Sequence, residues 1–419
     1  MKSISISRSN HTLKGTVRLP ASKSISNRLL MIRAMCGADF AIGNLSEAED
    51  TLLMQKHLET VLSVTGRKKV VEFDTANAGT VMRFLTAFLS VRPGKWVLTG
   101  SDRMKQRPIG ILADALNHLG ASIDFLAKPG YPPLLINGCS LRGKDLTIDA
   151  RVSSQFITSL LLIAPYLPEG LIIRLKGKPV SSPYSDMTVK LMQQFGSKVK
   201  QGKTRIHVKP GGYIPHDAVV ESDWSAAAFW YEAAVFSEEA DLLLPGLTFD
   251  SLQGDAILPA IYQNFGIRTE FTGQGIRLTK FQKKIDGFYF DFTDYPDIAQ
   301  PVIATCAGLG LRGRFEGVQS LQIKETDRLR AMKNELEKLG VQLDFSEEGG
   351  IVSAIELHPS KVSSREGLIF ESYGDHRTAM TLAPFAFKTG TLKIQNPDVV
   401  VKSYPRFWDD LRTVGFDVR

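Results

Sequence analysis

The chain alternates two kinds of helix signal, and this alternation recurs six times along its length. The first kind is a cluster of small or polar residues before an apolar helix, because Ser, Asn and Asp side chains satisfy the free N–H groups of a first helical turn. These clusters lie at residues 22–24, 77–80, 153–155, 222–224, 296–298 and 374–376. The second kind is an amphipathic helix that ends at a glycine, which readily takes the left-handed conformation found there. Its glycines are Gly66, Gly120, Gly196, Gly266, Gly340 and Gly415.

Each copy reads as strand–helix–strand–helix–strands and spans about 55 to 80 residues. Helices that regularly separate strands predict an α/β fold with parallel strand pairs. A chain of 419 residues exceeds one ordinary core, so three copies in each of two domains is the natural division. Capped helices also recur by chance in α/β proteins, but the interleaving of two patterns favours a true repeat.

Cations stand at several of these helix starts. Lys23 and Arg28 open the first helix, Arg377 follows the last cluster, and Lys324 and Arg328 lie four residues apart on one helical face. A helix N-terminus disfavours a cation by a few tenths of a kcal/mol, roughly, and a bound anion reverses that effect. Any one of these cations could be a solvated surface residue. Their recurrence at equivalent points predicts an anion-binding active site, of which residues 22–28 form one corner.

Two acidic residues lie near these cations in the sequence. Asp297 starts a helix, and Glu325 stands between Lys324 and Arg328. Asp297 could be a plain N-cap and Glu325 a surface ion pair. Both become candidates for proton transfer if the repeats converge on one site.

Composition excludes several other classes of function. The net charge of +7 includes no block of five Lys or Arg, which favours small anionic ligands over nucleic acid. The three cysteines have no CxxC spacing and are expected to be reduced thiols in the cytoplasm. No run of about 18 apolar residues predicts a membrane span, and no leader is evident. No metal spacing occurs, and the GxGxxG match at 308–313 follows a helix rather than a strand, so no cofactor is expected.

Taken together, the motifs resemble the EPSP synthase (3-phosphoshikimate 1-carboxyvinyltransferase) family of enolpyruvyl transferases. The matching segments are residues 19–28, 77–83, 107–110, 324–329 and 374–377, with the late Lys402. The resemblance implies two domains, each of three βαβαββ units forming half of an inverse α/β barrel. Residues 20–220 would form the domain with the shikimate 3-phosphate-binding residues. Residues 1–19 and 221–419 would form a discontinuous second domain contributing phosphoenolpyruvate-binding and catalytic residues.

The resemblance also implies the reaction, which is transfer of the enolpyruvyl group of phosphoenolpyruvate to the 5-hydroxyl of shikimate 3-phosphate. Asp297, Glu325 and Lys23 would be catalytic. Shikimate 3-phosphate would be bound by Lys23, Ser24, Arg28, Ser153, Ser154, Gln155, Ser181, Tyr184, Asp297, Ser320 and Lys324. Phosphoenolpyruvate would be bound by Lys23, Gly79, Arg107, Gln155, Arg328, Arg377 and Lys402. The expected partners are these two substrates, with no nucleic acid, no membrane and a monomeric chain.

Three positions depart from the family pattern. Phe84 stands where members often carry Pro, Ser320 where many carry Asn, and Gly374 where Asn is common. The sister enzyme that acts on UDP-N-acetylglucosamine needs a cysteine after an Arg-Pro-x-Gly-like segment, and none follows Arg107 until Cys139. A non-catalytic phosphate- or nucleic-acid-binding repeat protein would keep the cations without needing the two acids.

Overall fold

The computed structural model describes residues 2–64, 70–142, 145–151, 153–362 and 367–419. The chain divides into two compact units, the first formed by Met1–Ser22 with Glu221–Arg419 and the second by Lys23–Val220. The first boundary therefore falls after Ser22, not after Leu19 as predicted. Ala21 pairs with Ser222, and the Asp223 N–H donates to the Pro20 carbonyl at 2.9 Å, so this stretch is fastened to the first unit.

In the described part of the first unit, the strands and helices interleave along the sequence. The strands are Ser3–Ser7, Thr12–Thr16, Glu239–Pro245, Ile267–Thr272, Gly275–Lys280, Gly287–Asp291, Arg312–Glu316, Leu343–Glu348, Ile351–Leu357, Ile369–Glu371, Thr391–Gln395 and Asp417–Val418. The α-helices are Trp224–Phe236, Leu258–Tyr262, Ala299–Leu309, Arg328–Glu337, His376–Leu382, Ala386–Thr389 and Phe407–Thr413.

The second unit has the same alternation in the residues that are described. Its strands are Ile42–Gly43, Val70–Asp74, Gly94–Thr99, Ser122–Phe125, Leu134–Gly138, Asp145–Asp149, Leu171–Lys176, Val199–Gln201, Arg205–Val208 and Ala218–Val219. Its α-helices are Lys23–Cys36, Glu49–Ser63, Gly79–Ser90, Gly110–His118, Ser154–Ile163 and Ser182–Gln194.

The four-stranded sheets share one topology. In the sheet that starts with Gly287–Asp291, this strand runs parallel to Arg312–Glu316, which pairs antiparallel with Ile351–Leu357 and through it with Leu343–Glu348. A helix follows each of the first two strands, so the unit is βαβαββ. Over the described residues the first unit has three such sheets, whereas the second has two and a parallel pair between Ala218–Val219 and Ile42–Gly43. This arrangement confirms the predicted α/β fold.

Glycines end the second kind of helix, as the sequence predicts. Gly196, Gly266, Gly340 and Gly415 have φ of 79°, 81°, 82° and 94°, a region that costs other residues energy because of their Cβ atoms. Gly66, predicted to end another such helix, lies outside the described residues. Gly310 also has a left-handed φ of 70° and ends a helix before a strand. The GxGxxG match is therefore a helix-to-strand turn, as expected from its sequence context.

Helix Trp224–Phe236 forms the centre of the first unit's core. Every residue except Ser225 is buried, and alanines at 226–228 and 233–234 leave room for close approach of helix Ala299–Leu309. In the second unit, the apolar helices Gly79–Ser90 and Ser154–Ile163 have the same buried role. In the described residues, no helix combines the length and hydrophobicity needed to cross a membrane.

Candidate active site

In the second unit, Arg28 is a buried cation at the start of a helix. It lies one turn into Lys23–Cys36, is 4% exposed, and its guanidinium contacts neutral oxygens. Nε donates to Thr188 Oγ1 at 2.8 Å, Nη1 to the Ser24 carbonyl at 2.8 Å and Nη2 to the Tyr184 carbonyl at 3.1 Å. Burial lowers its pKa to about 10, so it stays charged at neutral pH. Across the described ranges no carboxylate pairs with Arg28, which favours an anionic ligand.

Lys23 begins the same helix, as predicted. Its Nζ lies 2.9 Å from Asp50 Oδ2, and both side chains are largely shielded from water. Sequence reasoning missed Asp50, because an acid in the first turn of helix Glu49–Ser63 has an ordinary dipole explanation. The pair holds the ammonium group at the helix start.

Gly79 and Arg107 are in close contact. A Cβ atom added to Gly79 would lie 2.6 Å from Arg107 Nη2, so only glycine leaves room for this guanidinium in its present position. Arg107 is 6% exposed, and its Nη1 donates to the Asn77 carbonyl at 3.2 Å. The helix Gly79–Ser90 thus begins beside a buried cation, which is an arrangement suited to an anion.

The polar cluster before helix Ser154–Ile163 is an N-cap that also reaches a neighbouring helix. Ser153 Oγ accepts from the Gln155 N–H at 3.2 Å, as the capping prediction requires. The Gln155 side-chain amide donates to Thr80 Oγ1 at 3.2 Å, beside Gly79. This contact brings two of the predicted helix starts together.

Two aromatic rings lie near the guanidinium of Arg28. The ring centroids of Phe84 and Tyr184 lie 5.7 and 5.9 Å from Arg28 Cζ. Phe84 is one of the departures from the family pattern. It is 1% exposed and packs beside Arg28, a predicted substrate-binding residue. Ser181 is 7% exposed and has a left-handed φ of 54° at the start of helix Ser182–Gln194.

In the first unit, Asp297 lies among three of the predicted cations. Arg377 Nη2 lies 3.1 Å from its Oδ2, and Nη1 donates to its carbonyl at 2.9 Å. Arg328 Nη1 and Lys324 Nζ lie 3.6 and 4.0 Å from its Oδ1. Asp297 is in a short 3-10 segment, Pro296–Ile298, that leads into helix Ala299–Leu309.

Glu325 is bound by two cations. It accepts from Arg328 Nη2 at 2.8 Å and from Lys402 Nζ at 2.9 Å, although Lys402 is 77 residues away in the sequence. Burial alone would lower the pKa of Arg328, but the carboxylates of Asp375, Glu325 and Asp297 more than reverse this, so its pKa is raised. The two candidate acids are therefore joined through one permanently charged arginine.

Asp375 is a buried acid that binds two arginines of this cluster. It is fully buried, accepts from Arg328 Nε at 2.6 Å, and caps its own helix by accepting the Arg377 N–H at 2.7 Å. The sequence identifies Asp375 as a cap, but the contact with Arg328 spans two repeats and has no local signal. Gly374 before it has a φ of +68°, which explains why glycine or Asn is suited to that position.

The structure thus brings together most of the predicted site residues within each unit. The first unit groups Asp297, Lys324, Glu325, Arg328, Arg377 and Lys402. Ser320 lies in the preceding segment Gln319–Ile323, but in the described structure its side chain makes no hydrogen bond to them. The described residues include no group of three or more His, Cys, Asp or Glu suited to a metal ion. Carboxylates held among several cations are suited to proton transfer beside bound anions.

Comparison with known proteins agrees with this geometry. The family model for EPSP synthase (3-phosphoshikimate 1-carboxyvinyltransferase) matches residues 7–411. A 3-phosphoshikimate 1-carboxyvinyltransferase of Bacteroides fragilis is 44% identical over 97% of both chains, and one of Shewanella loihica is 34% identical over 94% of this chain and 95% of that one. The solved EPSP synthase of Acinetobacter baumannii has the same fold, with a TM-score of 0.76, 23% identity and 100% coverage of both chains. The chain belongs to the EPSP synthase family.

Proposed function

We propose that this protein transfers the enolpyruvyl group of phosphoenolpyruvate to the 5-hydroxyl of shikimate 3-phosphate, releasing phosphate. The product is 5-enolpyruvylshikimate 3-phosphate, and the step belongs to the shikimate pathway toward chorismate and the aromatic amino acids. Membership of the family and relatives that bear this enzyme name support the assignment.

The observation that carries the proposal is the buried guanidinium of Arg28. A buried cation without a carboxylate partner is costly, and a bound phosphate would offset that cost with charge-assisted hydrogen bonds. The two aromatic rings near this guanidinium limit its access to water. A site for a phosphorylated substrate explains why the chain keeps this charge.

The substrate-binding residues are assigned from the resemblance together with these contacts. We assign Lys23, Ser24, Arg28, Ser153, Ser154, Gln155, Ser181, Tyr184, Asp297, Ser320 and Lys324 to shikimate 3-phosphate, and Lys23, Gly79, Arg107, Gln155, Arg328, Arg377 and Lys402 to phosphoenolpyruvate. Ser320 has the least structural support, since it makes no hydrogen bond to the described cluster. The close approach of Arg107 to Gly79 supports a phosphate or carboxylate ligand there.

Asp297 is the proposed base. It accepts the proton of the substrate 5-hydroxyl as the oxygen bonds to C2 of phosphoenolpyruvate, while C3 receives a proton from Lys23 or Glu325. Loss of a C3 proton and of phosphate from the tetrahedral intermediate then restores the double bond. The cations offset repulsion between two phosphates and two carboxylates, which lets orientation accelerate the reaction.

A phosphate-release assay with both substrates tests the proposal. Lys23→Met, Arg28→Ala and Asp297→Ala should each lower turnover by about 10²-fold or more while the far-ultraviolet circular dichroism stays unchanged. Lys190→Met, an exposed lysine on helix Ser182–Gln194, serves as the matched control and should keep full activity. Normal turnover by Asp297→Ala would contradict its catalytic role, and binding of DNA by the wild-type protein would favour a nucleic-acid-binding protein.

We further propose that the enzyme acts in the cytoplasm as a monomer, with small-molecule substrates as its partners. Its cysteines Cys36, Cys139 and Cys306 are all free thiols, which suits a reducing compartment. Sedimentation at micromolar concentration tests the monomeric state.

A further inference from the structure

Glu335 is a fully buried acid that neither the motifs nor the resemblance assigns to the site. It lies on helix Arg328–Glu337, seven residues after Arg328. Seven residues are close to two full helical turns, so the two side chains start from the same face of this helix. A buried carboxylate needs a cation or several hydrogen-bond donors to offset the loss of water. The donors around Glu335 therefore show which part of the chain it holds.

The carboxylate of Glu335 binds three donors. Its Oε1 accepts from the Tyr373 hydroxyl at 2.8 Å, and its Oε2 accepts from the Glu371 N–H at 3.0 Å and from Lys338 Nζ at 2.6 Å. The first two donors are 38 and 36 residues away in the sequence. Lys338 Nζ also donates to the Ile369 carbonyl at 3.0 Å. The helix is thus fastened to a strand end and to the turn that follows it.

This tight turn, formed by residues 371–375, leads into helix His376–Leu382. Within it Tyr373 has a left-handed φ of 54°, which is unfavourable for a residue with a Cβ atom. The hydrogen bond from its hydroxyl to Glu335 helps to hold this backbone conformation. The turn closes with a hydrogen bond of 2.9 Å from the Asp375 N–H to the carbonyl three residues earlier.

The end of the turn contacts the same helix a second time. Asp375 accepts from Arg328 Nε at 2.6 Å and from the Arg377 N–H at 2.7 Å. The guanidinium of Arg377 in turn lies 3.1 Å from Asp297 Oδ2. The helix therefore holds the turn at two points, with Glu335 at its start and Arg328 at its end, and the two positions are about 10 Å apart along the helix axis. Two separated contacts fix the direction of the turn as well as its place.

We propose that Glu335 is a positioning residue of the active site, because its hydrogen bonds to the start of the turn place Asp375 at Arg328 and Arg377 at Asp297. The inference rests on the proposed function, in which both arginines bind phosphoenolpyruvate. Glu335 acts through the turn and not on a substrate. Loss of its carboxylate frees the start of the turn, so the two arginines are less well oriented and phosphoenolpyruvate is bound less tightly.

Kinetics of two substitutions at this position test the proposal. Glu335→Ala should raise KM for phosphoenolpyruvate about tenfold, while KM for shikimate 3-phosphate stays within about threefold of wild type. Glu335→Gln should restore most of the loss, since its carbonyl oxygen can accept the Glu371 N–H and its amide can donate to the Tyr373 oxygen. Glu337→Ala, at an exposed position on the same helix, is the matched control and should leave both KM values unchanged.

A purely structural role predicts a different result. It would lower the fraction of folded enzyme, and hence the apparent kcat, without changing either KM, and that outcome in Glu335→Ala overturns the proposal. If Glu335→Ala does not fold, Tyr373→Phe tests the same contact, because it removes only the hydroxyl. It should raise KM for phosphoenolpyruvate about threefold, and an unchanged KM overturns the proposal instead.

A measurement without substrate separates this inference from the proposed reaction. Amide hydrogen exchange, followed by NMR, reports the protection of the Asp375 and Arg377 N–H groups, which are both hydrogen-bonded at the turn. Their protection should fall about tenfold in Glu335→Ala and stay at the wild-type level in Glu337→Ala. Equal protection in wild type and Glu335→Ala would overturn the positioning role even if the enzyme turns over normally. A fall in protection, in a protein whose wild type releases no phosphate, would refute the proposed function alone.

Discussion

At the scale of single residues, Asp375 links two arginines of the first-unit site, Arg328 and Arg377. It contacts Arg328 Nε at 2.6 Å and the Arg377 N–H at 2.7 Å and is fully buried. A carboxylate in this position both neutralises a buried guanidinium and caps a helix. Neither function alone would require complete burial of an acid.

Asp375→Asn should therefore impair both stability and activity. The amide can still cap the helix, but it leaves Arg328 with less compensating charge. We expect a loss of about 3 kcal/mol in the free energy of unfolding and of about 10²-fold in kcat/KM, measured by urea titration and phosphate release. Asp327→Asn, which also changes an N-cap acid, should cost less than about 0.5 kcal/mol. Equal effects of the two substitutions would contradict the role given to Asp375.

Glu232 is a buried acid to which the proposed mechanism gives no role. It is 0% exposed on the central helix Trp224–Phe236, and in the described structure neither carboxylate oxygen has a hydrogen-bond partner. Burial raises its pKa well above the usual value. The folded state therefore holds this proton more tightly than the unfolded state does.

Glu232→Gln should consequently stabilise the protein, and increasingly so at higher pH. Above the unfolded-state pKa of about 4.3, each pH unit costs the wild type about 1.4 kcal/mol of stability until the folded-state pKa is reached. The amide variant lacks this loss. Urea titrations near pH 5 and pH 7.5 should show a larger difference between the proteins at the higher pH. A difference independent of pH would mean that Glu232 is ionised in the folded state.

At the scale of elements, the first residue of helix Gly79–Ser90 controls the position of Arg107. Gly79→Ala would place a Cβ 2.6 Å from Arg107 Nη2, so the flexible end of that side chain must move. We expect KM for phosphoenolpyruvate to rise about tenfold with little change in thermal stability. Gly273→Ala, in a turn with no atom within 4 Å of the new Cβ, is the matched control. An unchanged KM would remove Arg107 from the assigned phosphoenolpyruvate ligands.

Sequence reasoning succeeds where an element carries its own signal. The N-cap at Ser153 and the left-handed glycines such as Gly340 are determined by hydrogen bonding and backbone sterics within a few residues, so they can be predicted locally. The contacts between site residues cannot be predicted in this way. Lys402 on Glu325 and Asp375 on Arg328 are joined by the packing of separate repeats, and Asp50 meets Lys23 through the packing of two helices, which periodicity cannot register.

At the scale of the whole molecule, one repeat of the first unit is assembled from both ends of the chain. Ser3–Ser7 lies between Thr391–Gln395 and Asp417–Val418 and pairs antiparallel with both. The Ser5 N–H donates to the Arg419 carbonyl at 2.7 Å. The βαβαββ order of this repeat is therefore completed by Ser3–Ser7, which comes early in the sequence but serves as the final strand of the repeat.

Because Ser3–Ser7 pairs with strands from the other end of the chain, we expect folding to require this strand but not its position at the start of the chain. Joining residues 419 and 2 through a Gly/Ser linker of about eight residues, with new termini between Gly349 and Gly350, should preserve turnover within about threefold. Those glycines form an exposed turn between two strands. Deleting residues 3–7 should instead unfold the first unit, since it removes an interior strand with the buried Ile4 and Ile6. Circular dichroism and phosphate release distinguish the two proteins. A deletion variant that folds and turns over normally would show that the remaining strands form this sheet alone.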